Sequence, residues 1–229
     1  MYFATYLSQM ITLSFTEENY LKSIYHLSKG GVMSVTTNAI ADDLNTKAAS
    51  VTDMMKKLSL KEMVTYKKYK GVNVSPIGKS AALKVIRKHR LWEVFLVEKM
   101  KFNWDEVHEV AEQLEHIKSP LLIQRLDEFL GYPKNDPHGD PIPDENGEFN
   151  SKPQIALSNA ELHHEGIIMS VKDSSTPFLQ YLDKIGAYIG AKVKIMDRVV
   201  FDGSHEILLD NKRTLFVSKE VAENILISE

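Results

Sequence analysis

The chain has 229 residues, of which 43% are hydrophobic and 26% charged, and it contains no cysteine. That length suits one large domain or two to three small ones, and the missing thiols exclude a disulfide framework, a thiolate zinc site and thiol catalysis. No apolar run approaches the roughly 20 residues a membrane span needs, and the apolar start Met1 to Phe15 lacks a basic n-region, so a short arm and a cytoplasmic, membrane-free protein are expected. The net charge of −3 conceals an asymmetry: residues 1–90 hold 14 Lys+Arg against 6 Asp+Glu, and residues 91–229 hold 14 against 25. A basic front joined to an acidic remainder suggests a polyanion-binding module attached to a regulatory one.

Thr16 is the expected N-cap of a first helix with acids in its first turn, and Tyr20, Leu21, Ile24, Tyr25 and Leu27 form its apolar face before Gly30 and Gly31 stop it. Val32 to Thr36 is a short β-prone piece. A helix capped by Thr37 then carries Ala39, Ile40, Ala41 and Leu44, and a tight turn at Asn45-Thr46-Lys47 leads to a second, Ala48 to Leu58 or a little beyond. Two short helices around such a turn form a helix-turn-helix pattern. Met63 to Tyr66 and Val72 to Val74 read as two strands around a basic tip, which makes the module a winged helix. Ala48, Ala49, Ser50, Thr52 and Asp53 are then placed near base edges in the major groove, and Lys56, Lys57, Lys67, Lys68 and Lys70 near phosphates of double-stranded DNA. For a lone basic hairpin, a solvated surface would be the simpler account; the adjoining helix-turn-helix and the basic front favour DNA.

Pro76 closes the wing and starts a long helix, Ile77 to about Met100, with His89 and Glu93 one turn apart near its middle. Asn103 and Glu106 form a capping box for the next helix. On that helix, at about 100° per residue from His108, Glu112 falls at about 40°, Glu115 at about −20° and His116 at about 80°. This polar stripe borders the apolar positions Trp104, Val107, Ala111 and Leu114, where crowded carboxylates need a compensating cation. One such pair would be an ordinary solvated helix face; two pairs plus an adjacent Glu-His point to a divalent metal. Ser119 and Pro120 cap and start a further helix whose surplus of Leu121, Leu122, Ile123, Leu126, Phe129 and Leu130 suggests a partner helix, most simply from a second copy of the chain. Tyr132 to Asn159 is rich in Pro, Gly, Asp and Asn and reads as a structured loop and linker. Beyond it, β runs at Gly166 to Val171, Lys192 to Val200, Glu206 to Leu209, Thr214 to Val217 and a last one through Ile225 and Ile227 suggest a small barrel, with a turn at Ser218 to Glu223.

From about Thr16 onward the chain resembles the metal-dependent repressors of the diphtheria toxin repressor and manganese transport regulator family. The matching pieces are Tyr20-Leu-Lys-Ser-Ile-Tyr25, Ser50-Val-Thr52, Arg87-Lys-His-Arg-Leu91, Val107-His108, Glu115-His116 and Pro137-His-Gly-Asp-Pro-Ile-Pro143. The resemblance implies a mainly α protein with small β parts: a winged helix-turn-helix domain over 1–76, a helical metal-binding and dimerisation domain over 77–150 and an SH3-like (FeoA-like) barrel over 160–229. It also implies a homodimeric transcriptional repressor, no enzyme, in which Mn(II) or Fe(II) promotes binding to a palindromic operator of metal-homeostasis genes. Carried over by position, His89, Glu93 and His108 match an ancillary metal site, and Glu112, Glu115 and His116 match a primary one that takes a further ligand from the first helix. That position is Asn19, and the nearby position that is acidic in the manganese branch is Lys22. Glu112 stands where the iron branch has cysteine, and the oxygen and nitrogen donors favour Mn(2+), with Fe(2+) as the alternative. Asp173 is the candidate for a ligand from the barrel. Two rival readings keep the same residues: a DNA-binding regulator with a structural metal or an organic effector, and a metal-dependent hydrolase, which would leave the wing unexplained and for which no nucleophile stands out.

Overall fold

A computed structural model describes residues 12–67, 70–150 and 152–229. Most of the expected N-terminal arm and Lys68 lie outside them. The chain divides into two compact units, one of residues 1–89, 114–118 and 143–148, the other of residues 90–113, 119–142 and 149–229.

In the first unit, helix α1 (Phe15–Leu27) is capped by Ser14, two residues earlier than the sequence suggests. Ser14 and Glu17 form a reciprocal capping box, which outcompetes Thr16 because it satisfies two orphan N–H groups at once. Helix α2 (Thr37–Asp43) likewise starts one residue early, with Thr36 accepting from the Ala39 amide. Asn45, at φ +46°, makes the turn into α3 (Ala48–Leu60). Strands β1 (Val64–Lys67) and β2 (Gly71–Val74) pair antiparallel with Tyr66 opposite Val72, and Val35 adds a single bridge to Val72. The β-prone piece before α2 is therefore reduced to one bridge. Leu21, Ile24, Ile40, Val51, Met55, Leu58, Met63 and Val72 share one core, so the expected winged helix is present with its helices, turn and hairpin in order.

Helix α4 (Pro76–Glu98) is one continuous element of 23 residues. In the second unit, α5 (Val107–Leu114) is shorter than the sequence pattern suggests, with Trp104 to Glu106 in turns before it. The Asn103 amide still donates to Glu106, half of the expected box. Helix α6 (Pro120–Phe129) begins at a Ser119 cap and is followed by Gly131 at φ +75°.

The C-terminal part is a six-stranded antiparallel sheet in the order β3-β8-β4-β5-β6-β7. Its strands are β3 (Gln154–Ala156), β4 (Glu165–Val171), β5 (Lys192–Arg198), β6 (His205–Leu209), β7 (Arg213–Val217) and β8 (Ile225–Ser228). β3 falls inside the stretch read as linker, and the Ser218 to Glu223 turn is a short helix, α8 (Lys219–Asn224). Helix α7 (Thr176–Ile185) was not foreseen; it buries Leu179 and Leu182 against the sheet core and ends on Gly186 in the left-handed region. The fold is thus a winged helix-turn-helix, a helical part and a small β domain.

Candidate metal centre and nucleic-acid interface

Glu93 is buried on α4, one turn beyond the buried His89 of the same helix. Its Oε1 lies 3.5 Å from Nδ1 of His108, near the start of α5, and Nε2 of His108 lies 3.5 Å from Glu112 one turn on. His108 and Glu112 are about half exposed, so this group opens toward solvent from a buried carboxylate.

The same Glu93 oxygen faces a second set of donors that the sequence reading passed over. Glu93, Asp136 and His138 are all buried, each with a ligand atom within 4.8 Å of the others. His138 Nε2 lies 2.8 Å from the Trp104 carbonyl, a partner that can only accept. His138 therefore donates from Nε2, and its Nδ1 faces Glu93 Oε1 at 3.9 Å. A buried carboxylate is stabilised by a cation beside it, and an imidazole nitrogen at this distance can share that cation with it. Ligands of one ion at bond lengths of about 2.1 Å stand at most about 4.2 Å apart, which the 3.5 and 3.9 Å separations satisfy. The residues therefore fit a divalent ion.

A loop of tight turns holds this set. Asp136 Oδ1 accepts from the amides of His138 (2.9 Å) and Asp140 (3.0 Å), while Oδ2 lies 3.3 Å from Arg90 Nε. Burial, then the charges of Glu93 and Asp140, push the Asp136 carboxyl well above the usual range against the pull of Arg90. The signal in the sequence was Asp136-x-His138, whose histidine lies inside the segment quoted for the family resemblance and whose aspartate stands just before it; the Pro and Gly content there suggested only a linker.

The remaining expected ligands behave differently. Glu115 and His116 lie in the turn after α5, so they leave the helical stripe. Glu115 is fully buried, its Oε1 and Oε2 accept from Lys22 Nζ at 2.8 and 2.9 Å, and Oε2 lies 2.6 Å from His89 Nδ1. Burial would raise its pKa, but His89 and Lys22 outweigh that and hold it below the ordinary value. His116 Nδ1 lies 2.6 Å from Glu18, and its ring stacks on Phe15 at 4.8 Å. Asn19 keeps a buried side-chain oxygen with no hydrogen-bond partner among the described residues. Asp173 accepts from the Ser175 amide at 2.8 Å and joins neither carboxylate-histidine group.

On the winged helix, Ala48, Ala49, Ser50, Asp53, Lys56 and Lys57 are exposed along α3, and Lys67 and Lys70 are exposed on the wing. Thr52 is half-buried and donates its hydroxyl to the Ala48 carbonyl. Two lysines carry local partners: Lys56 lies 2.9 Å from Asp53, and Lys57 lies 3.3 Å from Glu17. Among the described residues no side chain caps α3, which leaves its first-turn N–H groups for solvent or an anion.

Known proteins match the chain domain by domain from residue 12 onward. Residues 12–72 match the N-terminal DNA-binding domain of iron-dependent repressors, residues 75–144 their metal-binding and dimerisation domain, and residues 155–229 the FeoA domain. The diphtheria toxin repressor of Corynebacterium diphtheriae is 28% identical over 225 residues, covering 93% of this chain and 97% of that protein. The iron-dependent repressor IdeR of Mycobacterium leprae is 31% identical over 149 residues, 64% of this chain and 63% of that protein's own length. A solved manganese-dependent transcriptional repressor in complex with manganese is 30% identical with a TM-score of 0.84, covering 93% of this chain and 99% of that one. With all three domains matched in order, the chain belongs to the family of metal-dependent transcriptional repressors that includes the diphtheria toxin repressor.

Proposed function

We propose that the chain is a metal-responsive repressor that binds a palindromic operator as a homodimer and senses its ion at a centre built on Glu93. The observation that carries the centre is the clustering of buried Glu93, Asp136 and His138, with Glu93 Oε1 facing His138 Nδ1 on one side and His108 Nδ1 on the other. His89, one helical turn before Glu93, completes the donor set. A bound divalent ion would add positive charge beside the buried Glu93 and Asp136 carboxylates. Oxygen and imidazole donors without a thiolate favour Mn(II) over Fe(II). Manganese in the name of the structural relative and iron in the name of the Mycobacterium leprae relative support that pair.

The chain's own residues supply the coupling. Glu93 stands on α4, which begins directly after the wing, so fixing Glu93 against the donors of α5 and of the Asp136 loop restrains the helix that follows the DNA-binding module. In a dimer, two half-sites are read together only when the recognition helices stand about one DNA turn apart, about 34 to 36 Å. Exposed Ala48, Ala49, Ser50 and Asp53 face the bases in this reading, and Lys67 and Lys70 take phosphates.

The test uses a duplex selected from a random pool by the wild-type protein in Mn(II). Wild type is expected to bind it at least about tenfold more tightly in Mn(II) than in chelator. Glu93→Gln, which keeps the shape but removes the charge, is expected to lose that difference while its circular dichroism stays unchanged. A full metal response in folded Glu93→Gln rules this centre out.

A further inference from the structure

A buried carboxylate needs a counter-charge, and Glu115 already has one inside the chain. Its two oxygens accept from the same ammonium, Lys22 Nζ, at 2.8 and 2.9 Å. The lysine side chain is 15% exposed and the glutamate 0%, so this pair is sheltered from water and salt. An ammonium bridging both oxygens occupies the positions from which a metal ion would be held. Unlike an ion, it is tethered to α1 and cannot be removed by a chelator. The third partner is His89, whose Nδ1 lies 2.6 Å from Glu115 Oε2. A carboxylate held against one ring nitrogen fixes the orientation of a histidine from behind, as carboxylates do for metal-binding histidines.

The donors expected beside Glu115 are accounted for in the same way. His116 is held by Glu18 through Nδ1, and Lys88 stands 4.0 Å from the same Glu18 oxygen, so this face carries two ammonium groups against two carboxylates. Asn19, three residues before Lys22 on α1, brings a neutral oxygen that is buried and without a hydrogen-bond partner among the described residues. It is an acceptor left over from a site whose charge balance is already met.

We infer that Lys22 is a resident cation standing in for a second metal ion, and that Glu115 serves as a positioning residue for His89 and not as a metal ligand. The inference rests on the reading of Glu93 as the sensing centre. The chain then has one exchangeable cation site, around Glu93 and Asp136, and a second position, beside Glu115, that the Lys22 ammonium fills for the life of the protein.

Mn(II) uptake by the full chain, counted by the electron paramagnetic resonance of the free ion, separates the possibilities. Lys22→Glu removes the ammonium and adds a carboxylate beside Asn19 and Glu115, and is expected to take up one more ion per chain than wild type. Lys22→Met removes the ammonium alone. In chelator its melting temperature is expected to fall by about 5 to 10 °C, and adding Glu115→Gln, which removes the stranded charge, is expected to restore most of the loss. No additional ion on Lys22→Glu, or an unchanged melting temperature for Lys22→Met, overturns the inference. Glu93→Gln in the same titration reads the other centre separately. If that variant keeps every wild-type ion, the Glu93 reading fails while the comparison across the Lys22 variants still stands.

Discussion

Glu17 is buried within the first turn of α1, where it both closes the capping box and receives two lysines. Lys61 Nζ lies 2.7 Å from Oε1 and Lys57 Nζ 3.3 Å from it, while the Ser14 amide donates to Oε2 at 2.7 Å. Burial works against the charge, but these partners prevail and lower its pKa from 4.5 to about 2. In the unfolded chain the group titrates near its ordinary value. Between the two values the unfolded state binds more protons, so the stabilisation is complete above about pH 5 and drains away as the pH falls toward 2. Its size at neutral pH is up to about 3 kcal/mol. Glu17→Gln should therefore lower the urea midpoint at pH 7 and flatten its decline on acidification; an unchanged acid limb in that variant rules the assignment out. The contact also affects the DNA surface, because Lys57, expected at a phosphate, is shared with a carboxylate of the same unit.

Among the elements, the loop from Asn135 to Pro141 matters most to the metal centre and was least visible in the sequence. The helices α1 to α4 each bury one face, so their periodicity announced them, and the basic tip between two short apolar runs announced the wing. Asp136 and His138 have no period. Their meaning arises only when the turn folds and brings them to Glu93, more than 40 residues earlier in the chain. The Lys22 to Glu115 contact, across 93 positions, is non-local in the same way. Helix α7 went unseen because its Phe178, Leu179, Tyr181 and Leu182 sit among β-rich segments that set the expected period to two. Within the loop, Gly139 has φ +87°, and a Cβ there would stand 1.9 Å from the Met169 carbonyl of β4. Gly139→Ala must therefore move the turn off the sheet. The expected cost is about 2 kcal/mol or more in stability. Because the turn carries Asp136 and His138, Mn(II) affinity should fall at least about tenfold with it. Calorimetric titration of the folded variant checks this, and wild-type affinity would mean that the loop holds no ligand.

For the whole molecule, the asymmetry between a basic front and an acidic remainder is matched by a division of labour, with the net +8 segment carrying the wing and recognition helix and the net −11 segment carrying the carboxylate centre. The proposed palindrome would be read by two copies, and α6 has an apolar face that a second copy would fit. Leu121 and Phe129 are each more than 60% exposed and Leu122 is 42% exposed, although Leu126 of the same helix is buried. A short helix that buries one apolar residue and leaves three large ones open is expected to be covered by a partner, and a second copy of the same face is the simplest cover, since a two-fold pairing needs only one surface. Phe129 is already restrained by Phe95 at 6.3 Å and by Lys99 over its ring, so the open rim is Leu121 and Leu122. Leu121→Glu puts a charge there while leaving Leu126 and the fold untouched. Sedimentation equilibrium should show the wild type as a dimer and the variant shifted toward monomer by at least about tenfold in dissociation constant, as expected when an interface anchor is replaced by a charge. Metal uptake by the monomeric variant should persist, because Glu93, His108, Asp136 and His138 all come from one chain. Affinity for the palindrome should fall, because a single recognition helix reads only one half-site. A Leu121→Glu protein that stays dimeric would place the interface elsewhere and leave the apolar face of α6 without an occupant of its own kind.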